Sequence, residues 1–371
     1  MGSVINDKGL DMQVKDEETG RAGVDRRTLL KCGTVGAASV LSGSWAGAAT
    51  APTVLRYSDH EPLGGMRTRF LKDVVFPAIE RESQGRLKVE DHWNGEVAIA
   101  YDALAAVSER RTADLATVVP EYFAPRMPVH QLFKSFPTGP AGARQVAFFR
   151  EVYARAPEFA NEMRANGTVE IFLGTGYPVA FFSREPLRGL QDLRGGRWRS
   201  ASFWHQDFLR NAGATPVSMH WGPEIYDALK AKSLDGLMVN VDSGYMLGVH
   251  EAAPHVLYSR DLWLGHLYVL AMNRTVWDGL AAEDRDAIRR AATSSYATLG
   301  SVMDRHLDEQ IEQLKAKGAT VRALDRTEVA QWAADTQYRR VQDAWVAAQQ
   351  AKGGGHLDRA LAACRTLLGP A

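Results

Sequence analysis

The stretch LQDLRGGRWRSASFWHQDFLRNAGATPVSMHWGPEIYDALKAKSLDG, Leu190–Gly236, decides the fold. RWRSAS (Arg197–Ser202) reads as a short strand. Alternation along an ideal strand puts Arg197 and Arg199 on one face. WGPEIYDALKAKSLDG then reads as a helix that starts at Pro223, because the first turn of a helix does not use the N–H that proline lacks. GLMVNV (Gly236–Val241) follows as a short apolar run suited to a buried strand. Strand, helix and strand in this order point to a parallel crossover unit.

The same alternation extends to both sides. Upstream, TVLRYSD (Thr53–Asp59), LKVEDHW (Leu87–Trp93) and DLATVV (Asp114–Val119) read as strands. Helical patterns separate them, and Asn94–Gly95 marks a turn. A long helical stretch is expected over about 141–165, followed by the strands VEIFLGTG (Val169–Gly176) and VAFFS (Val179–Ser183). Downstream, apolar residues recur every three or four positions at Ile288, Ala292, Tyr296, Leu299, Met303, Leu307, Ile311 and Leu314. This is one face of a helix about 45 Å long, more than one small α/β lobe can cover. The strand ATVRAL (Ala319–Leu324) and a second long helix over 325–350 complete the pattern. The class is α/β with mostly parallel sheets.

Composition removes several functions. The 371 residues carry 44 basic and 44 acidic side chains, so the basic excess of a nucleic-acid-binding surface is absent. No apolar run reaches the roughly 20 residues of a membrane span. The N-terminus differs in kind. Residues 1–24 are polar and read as disordered. DRRTLLKCGTVGAASVLSGSWAGAAT then places Arg26–Arg27 before Thr28, two leucines and Lys31, ahead of a weakly apolar segment and the small residues Ala46–Ala48. That is the form of a twin-arginine export signal, with residues 1–48 removed. Past that segment the single cysteine is Cys364, which leaves no internal disulfide and no cysteine metal cluster.

VEDHWNGEVAIAYDALAAVSERRTADLATVVPEYFAPRMP (Val89–Pro128) resembles the first lobe of the solute-binding proteins of TRAP transporters, the DctP type. The opening stretch resembles their second-lobe core. Asp192, Leu193, Gly195, Arg199, Gly213, Ala214, Pro216, Trp221, Glu224, Tyr226, Ala228, Leu229, Asp235 and Gly236 match its pattern, and Tyr268–Ala292 resembles the segment that leads into the family's cross-lobe helix. The resemblance implies a two-lobed periplasmic binding protein fold with crossing hinge strands and a long helix spanning both lobes. Lobe I would comprise 53–179 and 264–303, and lobe II 180–263 and 304–371. It implies a periplasmic protein that captures a small carboxylate ligand and delivers it to the small and large membrane subunits of the carrier. No cofactor and no metal are implied.

The same resemblance assigns site residues. Arg199 takes the slot of the ligand-carboxylate clamp, and a guanidinium fork suits a carboxylate bidentately. Arg197 falls in a variable basic slot and is expected outside the cleft. Arg184 lies near the position of a second clamp arginine, although the register puts Glu185 there. Trp221 occupies the slot of an aromatic against the ligand. Phe203, Trp204 and His205 either wall the pocket or pack the helix that follows. Val239 takes the place of a ligand-binding asparagine, Asn240 falls one later, and Asp242 or Tyr245 would compensate. His60, Glu61, Asn94 and Tyr122 lie on first-lobe loops facing the cleft. Tyr177 and the segment from Trp263 to His266 are hinge candidates. The rival reading is an enzyme exported by the twin-arginine route, but the chain has no P-loop, dinucleotide fingerprint, G-x-S-x-G or H-E-x-x-H motif. A sensor-domain ligand binder lacks an accompanying signalling segment.

Overall fold

The computed structural model describes residues 51–369, apart from residues 264 and 355. The expected export signal and the polar segment before it therefore lie outside the described residues. Eleven strands form two sheets: β1 Thr53–Ser58, β2 Leu87–His92, β3 Leu115–Val118, β4 Thr168–Thr175, β5 Val179–Ser183, β6 Arg197–Arg199, β7 Thr215–Val217, β8 Gly236–Asn240, β9 His255–Tyr258, β10 Leu267–Asn273 and β11 Thr320–Ala323. The first sheet has the order β2-β1-β3-β10-β4 and the second β11-β9-β5-β8-β6-β7. Each is the core of one lobe.

Parallel pairing holds for β1–β2, β1–β3, β9–β11, β6–β7 and β6–β8. The antiparallel pairs all involve β5 or β10. These are the strands that cross between lobes. β4 leaves the first sheet and continues through Gly176–Pro178 into β5 of the second, while β9 returns through residues 259–266 to β10. A strand arriving from the opposite sheet runs against its new neighbours, which is why the sheets are mixed. The two crossings are tied together: Gly176 N–H donates to the His266 carbonyl and Val179 N–H to that of Leu262, each at 3.2 Å. A Cβ on Gly176 would sit 3.0 Å from that of His266, so the close approach favours glycine.

The expected long helix runs from Ala282 to Ala316, 35 residues and about 52 Å. It packs on the helices Phe76–Glu82 and Gly142–Arg155 and also on Val241–Met246 and β11, so it touches both lobes. Gly300 lets it approach the backbone of Ala143, where a Cβ would come within 2.4 Å. Two expected helices are broken. The 141–165 stretch divides into Gly142–Arg155 and Pro157–Ala165, because Pro157 cannot continue the hydrogen-bond ladder. The 325–350 stretch divides into Arg326–Asp335 and Tyr338–Gln350 at Gln337, which is left-handed with φ 50°. The helix Leu357–Leu368 packs on Gly142–Arg155, Pro128–Gln131 and Pro157–Ala165 as well as on Tyr338–Gln350. The cause is its apolar face of Leu357, Ala360, Leu361 and Cys364, which is fully buried there.

Candidate functional site

Four parallel-paired strands, two from each sheet, end at the same place. In open α/β sheets ligands sit beyond the carboxyl ends of the strands. The ends of β1, β3, β6 and β8 here deliver His60 and Glu61, Glu121 and Tyr122, Arg199 and Ser200, and Val239 and Asn240 to one cavity of about 200 Å³. Trp221, Lys134, His266, Tyr268, Ser243 and Met246 complete its wall. A larger, more open hollow of about 550 Å³ lies by the C-terminal helices, lined by Arg144, Arg339 and Arg365. Strand ends do not converge there.

Arg199 is the central cation. It is 2% exposed. Its Nε and Nη2 donate to the Met219 carbonyl at 3.0 and 2.6 Å, which fixes the fork, and its guanidinium carbon lies 5.5 Å from the Trp221 ring centroid. Among the described residues no carboxylate lies within ion-pair distance of it. Burial lowers its pKa, while Glu121, Tyr122 and Tyr101 act in the opposite direction. Arginine stays protonated regardless.

The other charges are matched within the protein. Lys134 is buried and contacts Glu121. Its ammonium also lies 3.0 Å from His266 Nδ1. Arg67 grips Asp59 with two bonds of 2.6 and 2.9 Å and reaches Glu61 at 2.7 Å. Burial would raise the Asp59 carboxyl, but Arg67 outweighs it and holds the group below its usual value. His205 and His266 are pushed well below the ordinary histidine value by burial, with Lys134 adding to the effect. Asp242 stands behind Asn240, accepts its amide, and is raised to about 7 by burial and by Glu61. At one rim Tyr101 Oη meets His220 Nδ1 at 2.7 Å, joining a first-lobe loop to a second-lobe loop. The Tyr101 ring lies 4.6 Å from that of Tyr122. No group of acidic, histidine or cysteine side chains among the described residues is arranged to hold a metal ion.

This geometry can hold a small anion. The pattern that defines bacterial extracellular solute-binding proteins of family 7, the DctP family, matches residues 69–343. The chain belongs to that family.

Within the family, the chain is 25% identical over 162 residues to the C4-dicarboxylate-binding periplasmic protein DctP of Rhodobacter capsulatus, covering 43% of this chain and 47% of that one. It is 27% identical over 107 residues to the ectoine-binding periplasmic protein TeaA of Halomonas elongata, covering 28% of this chain and 30% of that one. The match thus spans half or less of these relatives' length. Solved structures match over most of the chain. A TRAP periplasmic solute-binding protein from Desulfovibrio salexigens gives a TM-score of 0.72 at 18% identity, over 85% of this chain and 96% of that chain. A Bordetella pertussis extracytoplasmic solute receptor binding pyroglutamic acid gives 0.70 at 18%, over 85% and 100%. A TRAP solute-binding protein from Rhodoferax ferrireducens in complex with copurified benzoate gives 0.71 at 20%, over 85% and 97%. Together they establish the two-lobed fold.

Of the side chains expected at the site, Arg199, Trp221, Asn240, His60, Glu61, Tyr122 and His266 line the cavity. Val239, the residue in the asparagine slot, lines it as well, and so does His205. The remainder do not. Arg184 turns to Asp235 at 3.6 Å and to Glu185. Asn94 holds a left-handed turn, φ 59°, and its N–H donates to the Glu61 carbonyl, so it supports the loop rather than facing the cleft. Tyr177 bonds His306 on the long helix at 2.8 Å. Phe203 and Trp204 lie 6.0 and 5.0 Å from the ring of Trp345, so of their two expected roles helix packing is the one realised. Trp263 packs edge-on against Phe148 and Phe149. Asp242 is one layer removed. Arg197 is exposed and donates to the Lys232 carbonyl at 2.5 Å, away from the cavity as expected. Reading the sequence missed Lys134, Glu121, Arg67, Ser200, Ser243 and Met246. For Lys134 a signal existed: it is a lysine inside the otherwise apolar run LFKSF.

Proposed function

We propose that this protein is the periplasmic receptor of a TRAP-type transporter, capturing a small organic acid between its lobes and handing it to the small and large membrane subunits. The observation that carries the reading is Arg199: a buried, oriented guanidinium at the cavity wall with no carboxylate partner among the described residues. Leaving such a charge uncompensated is costly, so the site is built to receive an anion. Relatives of this fold bind pyroglutamic acid and benzoate, and both are carboxylates. In this reading the two lobes, joined by β4–β5 and β9–β10, close on the ligand by bending at the crossings. Export follows the twin-arginine route directed by Arg26–Arg27. The test is mass spectrometry of small molecules released on denaturing protein freshly purified from the periplasm, with competition by the identified compound in calorimetry. A carboxylic acid that rebinds is expected. A released and rebinding ligand without a carboxyl group would sink the proposal.

A further inference from the structure

The clamp explains one end of the ligand. The opposite wall explains what the other end must not be. Four charged side chains line the cavity: Arg199, Lys134, Glu61 and Glu121. Lys134 and Glu121 form a close ion pair with little solvent access, the side chains being 7% and 10% exposed. Glu61 shares Arg67 with Asp59, so two carboxylates already draw on that fork. Arg199 alone among these cations has no carboxylate at ion-pair distance. The buried rings of His205 and His266 lie close to the Lys134 charge and stay neutral, so they add no second positive charge.

Resting on the reading of Arg199 as the clamp, we propose that the cleft selects monocarboxylates and that Glu121 is the residue that excludes a second carboxylate. Glu121 touches Lys134 and lies within electrostatic reach of Arg199. It therefore occupies the position from which a ligand's second carboxylate would otherwise engage both cations. A dicarboxylate bound at Arg199 would bring its far charge against Glu61 and Glu121, with no free cation to receive it. Burying a charge without a partner is strongly unfavourable. An uncharged body meets instead the side chains of Tyr122, Trp221, Met246 and Tyr268.

The probes are benzoate and isophthalate, which differ by one carboxylate, titrated calorimetrically at neutral pH. The wild type should bind benzoate at least about tenfold more tightly than isophthalate, a gap of about 1.4 kcal/mol. Glu121→Gln frees Lys134 and should shrink or invert that ratio by a further factor of about ten. Glu121→Gln combined with Lys134→Met removes both charges, leaves Arg199 as the one positive group, and should restore the preference for benzoate. The double variant also covers the case in which the unpaired buried lysine of the single variant prevents folding, which circular dichroism would reveal. Wild-type protein that binds isophthalate as well as benzoate, or takes up neither at millimolar concentration, overturns the proposal. So does a double variant that admits isophthalate. Arg199→Met separates the two readings: if it keeps benzoate while the Glu121 effect persists, the clamp assignment fails and the charge selection stands.

Discussion

Replacing Arg199 by alanine takes away the only cavity cation without an acidic partner among the described residues. Binding at the micromolar level corresponds to about −8 kcal/mol. Truncating one member of a buried, hydrogen-bonded charge pair costs about 2–5 kcal/mol. Arg199→Ala should therefore weaken carboxylate binding by about 30-fold to about 4,000-fold. Its cost to folding is smaller, about 1 kcal/mol, because the Met219 carbonyl loses its two donors but the space left by Arg199 opens on the cavity, where water can replace them. Arg199→Lys should fail nearly as badly. The fork uses Nε and Nη2 on Met219, and Nη1 makes no hydrogen bond within the described residues, so it remains for the ligand. A single ammonium cannot serve both at once. Arg197→Ala is the internal control. That side chain is 47% exposed and bonds Lys232 and Asp235 outside the cleft, so binding should change by no more than about twofold. The assay is calorimetric titration with the released ligand, with folding checked by circular dichroism. A folded Arg199→Ala protein that binds like the wild type would refute the clamp, and loss of binding in Arg197→Ala alone would mean the opposite arginine faces the ligand.

Stability should fall as pH drops below about 6.5. His205 and His266 are held neutral in the fold well below 6.5, so the unfolded chain takes up protons there that the native protein does not. Asp242, raised to about 7, has the opposite slope: the native form keeps a proton that the unfolded form releases above about 4. His60, His250 and His306 are lowered by burial as well and act in the same direction as the two buried rings, so the net is a fall in stability on acidification through the ordinary histidine range. Urea titrations at several pH values should also show a steeper fall in Asp242→Asn, and a flat wild-type profile would contradict the neutral rings. Tyr101→Phe removes the hydroxyl that meets His220 across the cleft and should weaken ligand binding by about 2- to 12-fold. Unchanged affinity together with an unchanged ligand-induced contraction in small-angle scattering would rule out a latch at that rim. Changing Arg26 and Arg27 to lysine should leave precursor in the cytoplasm, and mature protein still reaching the periplasm would exclude twin-arginine export.

The local pattern of the chain determined its layers. Short apolar runs between helical periods placed the strands, and the recurrence from Ile288 to Leu314 placed the long helix, because a buried face must repeat with the period of its own backbone. The slot of Arg199 at the end of a strand was legible for the same reason, together with the resemblance carried by its neighbours. What the sequence left open was which faces meet. Lys134 finds Glu121 across a pair of short helical turns, and His266, 132 positions away, from the connection between the lobes. Trp204 meets Trp345 on a C-terminal helix, and Trp263 meets Phe148, so both bulky rings leave the cleft for the core. β5 and β10 run antiparallel to their neighbours because they arrive from the other lobe, a fact of topology with no local signature. Backbone period fixes the direction of a side chain within its own element. Its partner, and with it the charge balance of the cleft, is set by contacts between residues far apart in the chain, which only the folded structure brings together.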